Sequence, residues 1–316
     1  MTKVMAGMDL HSNNVMIGII DQQGKRLEHR KLGCELNAIA GYLDGFKARL
    51  RSLAVESTFN WYWLVDGLQA HGYCLQLVNT AAVTQYDGLK YSGDHHDAFH
   101  LAHLLRLGIL PTGHIYPKEQ RAIRDLLRRR LSLVRAASTQ LISVQSQRWR
   151  CTGMRVKSER LRRADFEPPQ MDSYTLQAVQ AGLAVYHAMQ AEIDVLEQSA
   201  HQAVKLSKEF EILQTIRGIG KILGLTIMLE TGDIHRFASA GKFASYCRCV
   251  DSLRTSNGKK KGSGNVKAGN PYLSRAFSEA AHFAVRYEPL AQRFLNERKR
   301  ERMASLLFGR LRASWQ

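Results

Sequence analysis

The stretch Val4-Met5-Ala6-Gly7-Met8-Asp9 decides how this chain folds. A short run of small and apolar residues leads directly into a carboxylate. That is the pattern of a buried strand delivering one acid at its end. Asn14 to Ile20 reads as a second strand, and Asp21-Gln22-Gln23-Gly24 as a hairpin turn leading to a third strand from Arg26 to Leu32. Asn37 to Leu50 carries a helical period through Ile39, Leu43, Phe46 and Leu50. Leu53-Ala54-Val55 is a fourth strand running into Glu56, and Trp61 to His71 a helix closed by Gly72. Cys74 to Val78 is a fifth strand. A helix from Asp94 to Leu107 follows, stopped by Gly108 with Pro111 beyond. Asp9, Glu56, Asp94 and Asp97 therefore each fall at a strand end or a helix start. In Gly93-Asp94-His95-His96-Asp97, the two aspartates share a helical face.

These acids stand in a basic chain. Its 316 residues hold 45 Lys and Arg against 28 Asp and Glu, a formal charge of +17. That excess favours a polyanion, most simply nucleic acid. Clustered carboxylates repel one another unless something positive sits between them. The hard cation that also bridges to phosphate is Mg²⁺. The combination points to metal-dependent chemistry on DNA or RNA phosphates. If the acids are structural instead, Asp94 serves as a helix N-cap and Asp97 as a first-turn acid. That account leaves Asp9 and Glu56 unexplained.

Other classes are disfavoured. No apolar run is long enough to span a membrane. The opening residues are too short and broken for a signal peptide. Cys34, Cys74, Cys151, Cys247 and Cys249 form no paired CxxC, so neither a disulfide framework nor a zinc ribbon is expected, and a cytoplasmic, nucleoid-associated location fits. His96 and His100 have a zinc-like spacing but lack Cys or Glu partners in place. His11 and His96 are better read as neighbours of the metal. Trp61, Tyr62 and Trp63 could stack on bases but read better as core or interface residues. There is no Gly-x4-Gly-Lys-[Ser/Thr] phosphate loop.

Residues 116–210 are nearly all helix-compatible and read as a coiled-coil arm, or else as a helical hairpin. Lys118 to Arg163 holds fourteen Lys and Arg, including Arg128-Arg129-Arg130, against Glu119, Asp125 and Glu159. Its basic face is a candidate nucleic-acid contact. A second periodic stretch runs from Tyr174 to Phe210, beyond the link at Glu167-Pro168-Pro169. Residues 211–316 begin with Arg217-Gly218-Ile219-Gly220-Lys221, which looks like the turn of helix-hairpin-helix modules, where glycine lets backbone N–H groups approach a phosphate. Farther on, Ser256-Asn257-Gly258-Lys259-Lys260-Lys261-Gly262-Ser263-Gly264-Asn265-Val266-Lys267-Ala268-Gly269-Asn270 lies within an acid-free stretch. It reads as a loop able to wrap phosphates, or as a flexible linker.

Three strands, then helix, strand, helix, strand, helix is the order of the ribonuclease H superfamily. With the arm, the Gly-Ile-Gly turn and the serine-bearing basic loop, the whole chain resembles the DEDD-type insertion-sequence transposases of family 110, which include the Piv-type invertases. The resemblance implies a RuvC-like α/β domain over 1–115, an arm over 116–210 and a mainly α transposase domain over 211–316. It also implies Mg²⁺ held by Asp9, Glu56, Asp94 and Asp97. Ser256 would be the nucleophile that becomes linked to DNA, with Lys259, Lys260, Lys261 and Lys267 gripping phosphate. Expected partners are donor and target DNA, a structured noncoding guide RNA and a tetramer of this chain. Family members often have Gly directly after the serine. Here Ser256 is followed by Asn257, and Ser263-Gly264 is the literal pair. Ser256 is preferred because its distance to Lys267-Ala268-Gly269-Asn270 fits the family spacing. Two rival readings remain: a hydrolytic resolvase-type nuclease using the same acids, and a nucleic-acid-binding protein without catalysis.

Overall fold

The computed structural model describes residues 2–83, 93–163, 165–168, 170–203, 208–250, 253–263 and 268–298; for Asp94, Leu253, Arg254, Thr255, Lys260 and Ser263 it describes the backbone only. The chain divides into two compact units, residues 1–118 and 119–316.

The first unit is built on a mixed five-stranded sheet. Its strands are β1 (Val4–Leu10), β2 (Asn14–Asp21), β3 (Arg26–Gly33), β4 (Leu50–Glu56) and β5 (Leu75–Val78), in the order β3-β2-β1-β4-β5. β1 to β3 form an antiparallel meander, and β4 and β5 run parallel to β1. This mixed sheet with its helices is consistent with the ribonuclease H-like expectation. Helices α1 (Leu36–Asp44) and α2 (Tyr62–Ala70) precede α3 (Asp94–Leu107).

Alternation along β1 sorts its side chains by face. Val4, Ala6, Met8 and Leu10 join a core with Ile39 and Leu43 of α1 and Leu64 and Leu68 of α2. Met5 packs instead with Phe99 and Ala102 of α3. Gly7 shares the face of Met5, and α3 presses so closely there that a Cβ on Gly7 would stand 2.0 Å from the Ala98 carbonyl oxygen. On β4, Leu53 and Val55 face α1 and α2, whereas Ala54 meets Leu101 of α3. Parity then fixes the acids: Asp9 follows Met5 and Gly7, and Glu56 follows Ala54, so both face α3.

Two element boundaries differ from expectation. The first helix ends at Asp44, because Gly45 takes the C-cap and its N–H returns to Leu43; Phe46 still packs into the core, and Leu50 opens β4. Asp9 lies inside β1 and not at its end, since β1 continues through Leu10.

The second unit opens with α4 (Lys118–Thr152), a short α5 (Ser158–Leu161) and α6 (Ser173–Ala203). Ala137, Leu141 and Val144 of α4 pack on Val179, Leu183, Tyr186 and Ile193 of α6, with Leu161 of α5 in the same core. Then come α7 (Lys208–Thr215), α8 (Lys221–Thr231), α9 (Ala240–Tyr246), a hairpin of β6 (Leu253–Ser256) and β7 (Lys259–Ser263), and α10 (Pro271–Tyr287). Among the described residues, no helix is long and apolar enough to cross a membrane.

Candidate active site

Three acids converge in the first unit. Asp9 and Glu56 sit on neighbouring parallel strands whose register aligns Met8 with Val55, one residue before each acid. Their carboxyl groups share a hydrogen bond, and Asp97 of α3 is close enough for its charge to act on Glu56. Burial, the bond to Asp9 and the charges of Asp9 and Asp97 push Glu56 up to about 8, against a smaller opposing effect of the Leu10 backbone N–H. The physical cause is like-charge crowding in a partly dry site, which makes one carboxyl hold a proton. Asp9 is 4% exposed and also meets His11 Nε2 at 3.1 Å from its Oδ2. Asp94 is the first residue of α3, and Gly93, not Asp94, occupies the N-cap.

Supports around the acids come from residues that pattern reading passes over. Asn60, in the loop after β4, donates from Nδ2 to the His11 carbonyl at 3.1 Å. Thr58 donates to Asn60 Oδ1 at 2.8 Å. The loop after Glu56 is thus tied to the end of β1, holding the two strand ends in register. Asn60 carries no motif, and only the fold brings it to His11. Among the described residues, which leave out the Asp94 side chain, no three His, Cys, Asp or Glu side chains stand close enough together to hold a metal ion. Hydrogen-bonded to Asp9 and with Asp97 near enough to act on it, Glu56 bears the proton that a cation would otherwise displace.

The serine segment lies in the second unit and is a β-hairpin, not a loop. Asn257 and Gly258 have φ of 51° and 69°, the left-handed pair of a two-residue type I′ turn. Asn-Gly is the strongest short signal for such a turn, and the lysines and glycines around it obscure the signal. Ser256, exposed, is the last residue of β6 and pairs across the turn with Lys259. Paired residues share a face, and Lys261 shares the face of Lys259 by alternation. Ser263 pairs with Leu253 at the opposite end of the hairpin. Lys267 lies outside the described residues.

Other candidates resolve differently. Arg128 makes a two-pronged ion pair with buried Glu230, with Nη2 2.7 Å from Oε2, and its guanidinium lies 4.3 Å from the Tyr272 ring centre. Arg130 donates from Nε to Glu197 at 2.8 Å. Only Arg129 of the three is exposed. Gly218 (φ 97°) fits against α10, where a Cβ would stand 2.5 Å from the Ala280 carbonyl oxygen. Its glycine is therefore required by helix packing. Gly220 is the N-cap of α8 with open space at its Cβ position, and Lys221 is exposed. Asn270 accepts from the Tyr272 and Leu273 N–H groups, capping α10, and donates to Glu230 at 2.7 Å. Gly269-Asn270 is thereby a clasp joining the hairpin's exit to α8 and α4. Burial and the neighbouring Cys249 push the Cys247 thiol up to about 12, so on its own it stays protonated.

Comparison with known proteins adds the following. A DEDD family model described as "Transposase" matches residues 6–147, and one described as "Transposase IS116/IS110/IS902 family" matches residues 210–296. A protein of Sinorhizobium fredii (strain NBRC 101917 / NGR234), by name a transposase, y4qE, is 25% identical over 236 residues. The alignment covers 72% of this chain, and the chain spans 57% of that relative's length.

Proposed function

This chain belongs to the IS110-type transposase family, and we propose that it cuts and rejoins DNA strands of a mobile insertion sequence with a divalent cation and a serine nucleophile. One observation carries the reading: Asp9, Glu56 and Asp97 converge from β1, β4 and α3 closely enough that Glu56 must share a proton. The donors fit Mg²⁺, being hard oxygens whose crowded charge calls for a cation. Asp9, Glu56 and Asp97 would hold it, with Asp94 one turn before Asp97 on α3. Bound there, the cation would polarise a phosphate oxygen and favour attack at phosphorus.

The chain's own residues do the rest. The Ser256 hydroxyl gives up its proton as its Oγ bonds to phosphorus, and the strand's P–O bond breaks to leave a free hydroxyl that takes a proton. Lys259, across the hairpin, and Lys261, on the same face, stabilise the charge that builds on the phosphate. The phosphoserine link conserves the energy of the broken bond, so a second strand's hydroxyl can reverse the step without ATP. His11 orients Asp9 throughout. Arg129, Gly220, Lys221 and the hairpin lysines are the proposed nucleic-acid contacts. Donor and target DNA, a structured guide RNA and assembly as a tetramer belong to the same proposal, supported by the family and by the net charge of +17.

The test incubates the full chain with insertion-sequence end DNA and Mg²⁺, then seeks a covalent protein–DNA adduct and maps it by mass spectrometry. The adduct is expected on Ser256 and is lost in Ser256→Ala. Efficient cleavage by Ser256→Ala with no adduct would instead favour attack by water, the nuclease reading.

A further inference from the structure

Arg148, on α4, is only 7% exposed, yet its Nε and Nη1 are buried without a hydrogen-bond partner. Buried guanidinium groups are almost always paired, because an unpaired charge away from water is costly. Among the described residues these two nitrogens lack a partner, although Arg128 and Arg130 on the same helix pair with the carboxylates of Glu230 and Glu197. Burial and the nearby charge of Arg160 together hold the Arg148 pKa below its ordinary value, so its neighbours do nothing to neutralise it.

The side chain lines an open cleft of about 850 Å³ at the turn between α4 and α6. Lys157 and Arg160 line it too, and among the described residues neither makes an ion pair. Arg163 is neutralised by Asp165, at 3.0 and 2.9 Å. Glu159 and Glu167 also line the cleft, but neither pairs with Arg148. The walls are fixed. Leu161 is fully buried in the α4–α6 core. Gln145, one turn before Arg148, donates to the Val156 carbonyl at 2.8 Å and to Ser158 Oγ at 3.2 Å, which holds α5 in place.

We propose that this cleft seats a backbone phosphate of a polynucleotide, with Arg148 at its base and Lys157 and Arg160 at its rim. A fixed, unpaired guanidinium flanked by two unpaired cations is built for a tetrahedral oxyanion that arrives from outside. The cleft is far larger than one phosphate, as a chain of phosphates requires. The anion seat stands on the geometry alone; its assignment to a polynucleotide rests on the transposase reading. It is a site distinct from the acids and from the serine hairpin.

The test uses the full chain and Arg148→Met, which keeps the buried volume while removing the charge. Labelled duplex DNA and a labelled RNA hairpin are titrated across a salt series, and thermal melting is followed with and without inorganic phosphate. Arg148→Met is expected to weaken binding of at least one polynucleotide about tenfold and to lower its salt slope by about one phosphate. The polynucleotide that is weakened identifies the source. Phosphate should raise the Tm of the native chain and not that of the variant, and without phosphate the variant should melt no lower than the native chain. Unchanged affinity and salt slope for both polynucleotides would overturn the proposal, even if phosphate protection were lost. A variant that melts lower and responds equally to phosphate would show a structural arginine and would likewise overturn it. Arg160→Ala, at the exposed rim, repeats the binding test without disturbing the buried core. None of these readouts needs strand cleavage, so a failed recombination assay leaves them interpretable.

Discussion

Asp9 and Glu56 stand on adjacent parallel strands, on the sheet face covered by α3, with one hydrogen bond between their carboxyl groups. Two carboxyl groups can bond only if one is protonated, and the charge of Asp97 presses the proton onto the pair. The proposed cation would therefore take the place of a proton there. Its state should depend on pH in a defined direction.

Glu56 is raised from about 4.5 to about 8 in the folded chain. Between those values the folded state holds a proton that the unfolded state has lost, so stability falls as pH rises. The metal-free chain should lose Tm steadily from about pH 4.5 to about pH 8 by this group's contribution and level off above. Glu56→Gln mimics the protonated form and should flatten the slope, melting higher than the native chain at pH 8 and above. Mg²⁺ should reverse the trend in the native chain alone, with a proton released on binding. Melting curves across pH, with Mg²⁺ or with chelator, check this. A native Tm that rises through the same window would reject the shared proton.

At the hairpin tip, Gly258 (φ 69°) holds a conformation that side chains resist. Gly258→Val should disturb the Ser256–Lys259 pairing while costing the whole fold little, because the turn is exposed. The expected result is adduct formation slowed by about tenfold to a hundredfold, since misplacing a reacting group by an ångström can cost about a hundredfold. The Tm should stay within a few degrees. Asn257→Gly, which tolerates the same turn, should retain most of the rate. Equal losses in both variants would mean that the turn's shape does not govern Ser256.

Much of this was legible because strand alternation is local. The apolar run before Asp9 and the Leu53-Ala54-Val55 run before Glu56 each predict a strand, and parity then sets the face of each acid. The close of α1 is not legible because Phe46 and Leu50 continue a helical spacing while the chain has already turned at Gly45; apolar periodicity does not distinguish a helix from the core strand that follows it. The hairpin reads as a loop although Asn257-Gly258 carries its signal, because glycines and lysines on either side look like a linker. Arg128 could not be assigned from sequence at all. Its partner Glu230 is 102 residues away, and only the packing of α4 on α8 brings the two together.

Gly7 tests whether α3 places Asp97. A methyl group there would meet the Ala98 carbonyl oxygen at 2.0 Å and the Ala102 nitrogen at 2.6 Å, both backbone atoms that cannot swing aside. Gly7→Ala should push α3 off the sheet and cost about 1–3 kcal/mol, the range for overpacking a tight core. Asp97 moves with its helix, so Mg²⁺ protection against melting should shrink as well. Gly41→Ala, at an open position on α1, is the control and should be neutral or slightly stabilising. Full Mg²⁺ protection in a destabilised Gly7→Ala chain would show that α3 does not set the metal site.

Arg128 and Arg129 are neighbours with opposite predicted phenotypes. Arg128 holds Glu230, which is 1% exposed and also bonded to Asn270 at the cap of α10. Removing the arginine takes the two-pronged cation away from a buried carboxylate, a loss of about 3–5 kcal/mol. Arg128→Ala should therefore lower the Tm sharply. Adding Glu230→Gln should restore part of it, because the buried carboxylate charge is then gone. Arg129 is exposed, so Arg129→Ala should leave the Tm unchanged while reducing the salt slope of DNA binding by about one contact. Differential scanning calorimetry and a salt-series titration on the same preparations separate the two. If Arg128→Ala kept its stability and lost DNA affinity, the Glu230 pair would be incidental and the basic run would act on DNA as a unit. A double mutant no more stable than Arg128→Ala would place the cost in lost packing against Tyr272, which the guanidinium covers at 4.3 Å, and not in the buried carboxylate charge.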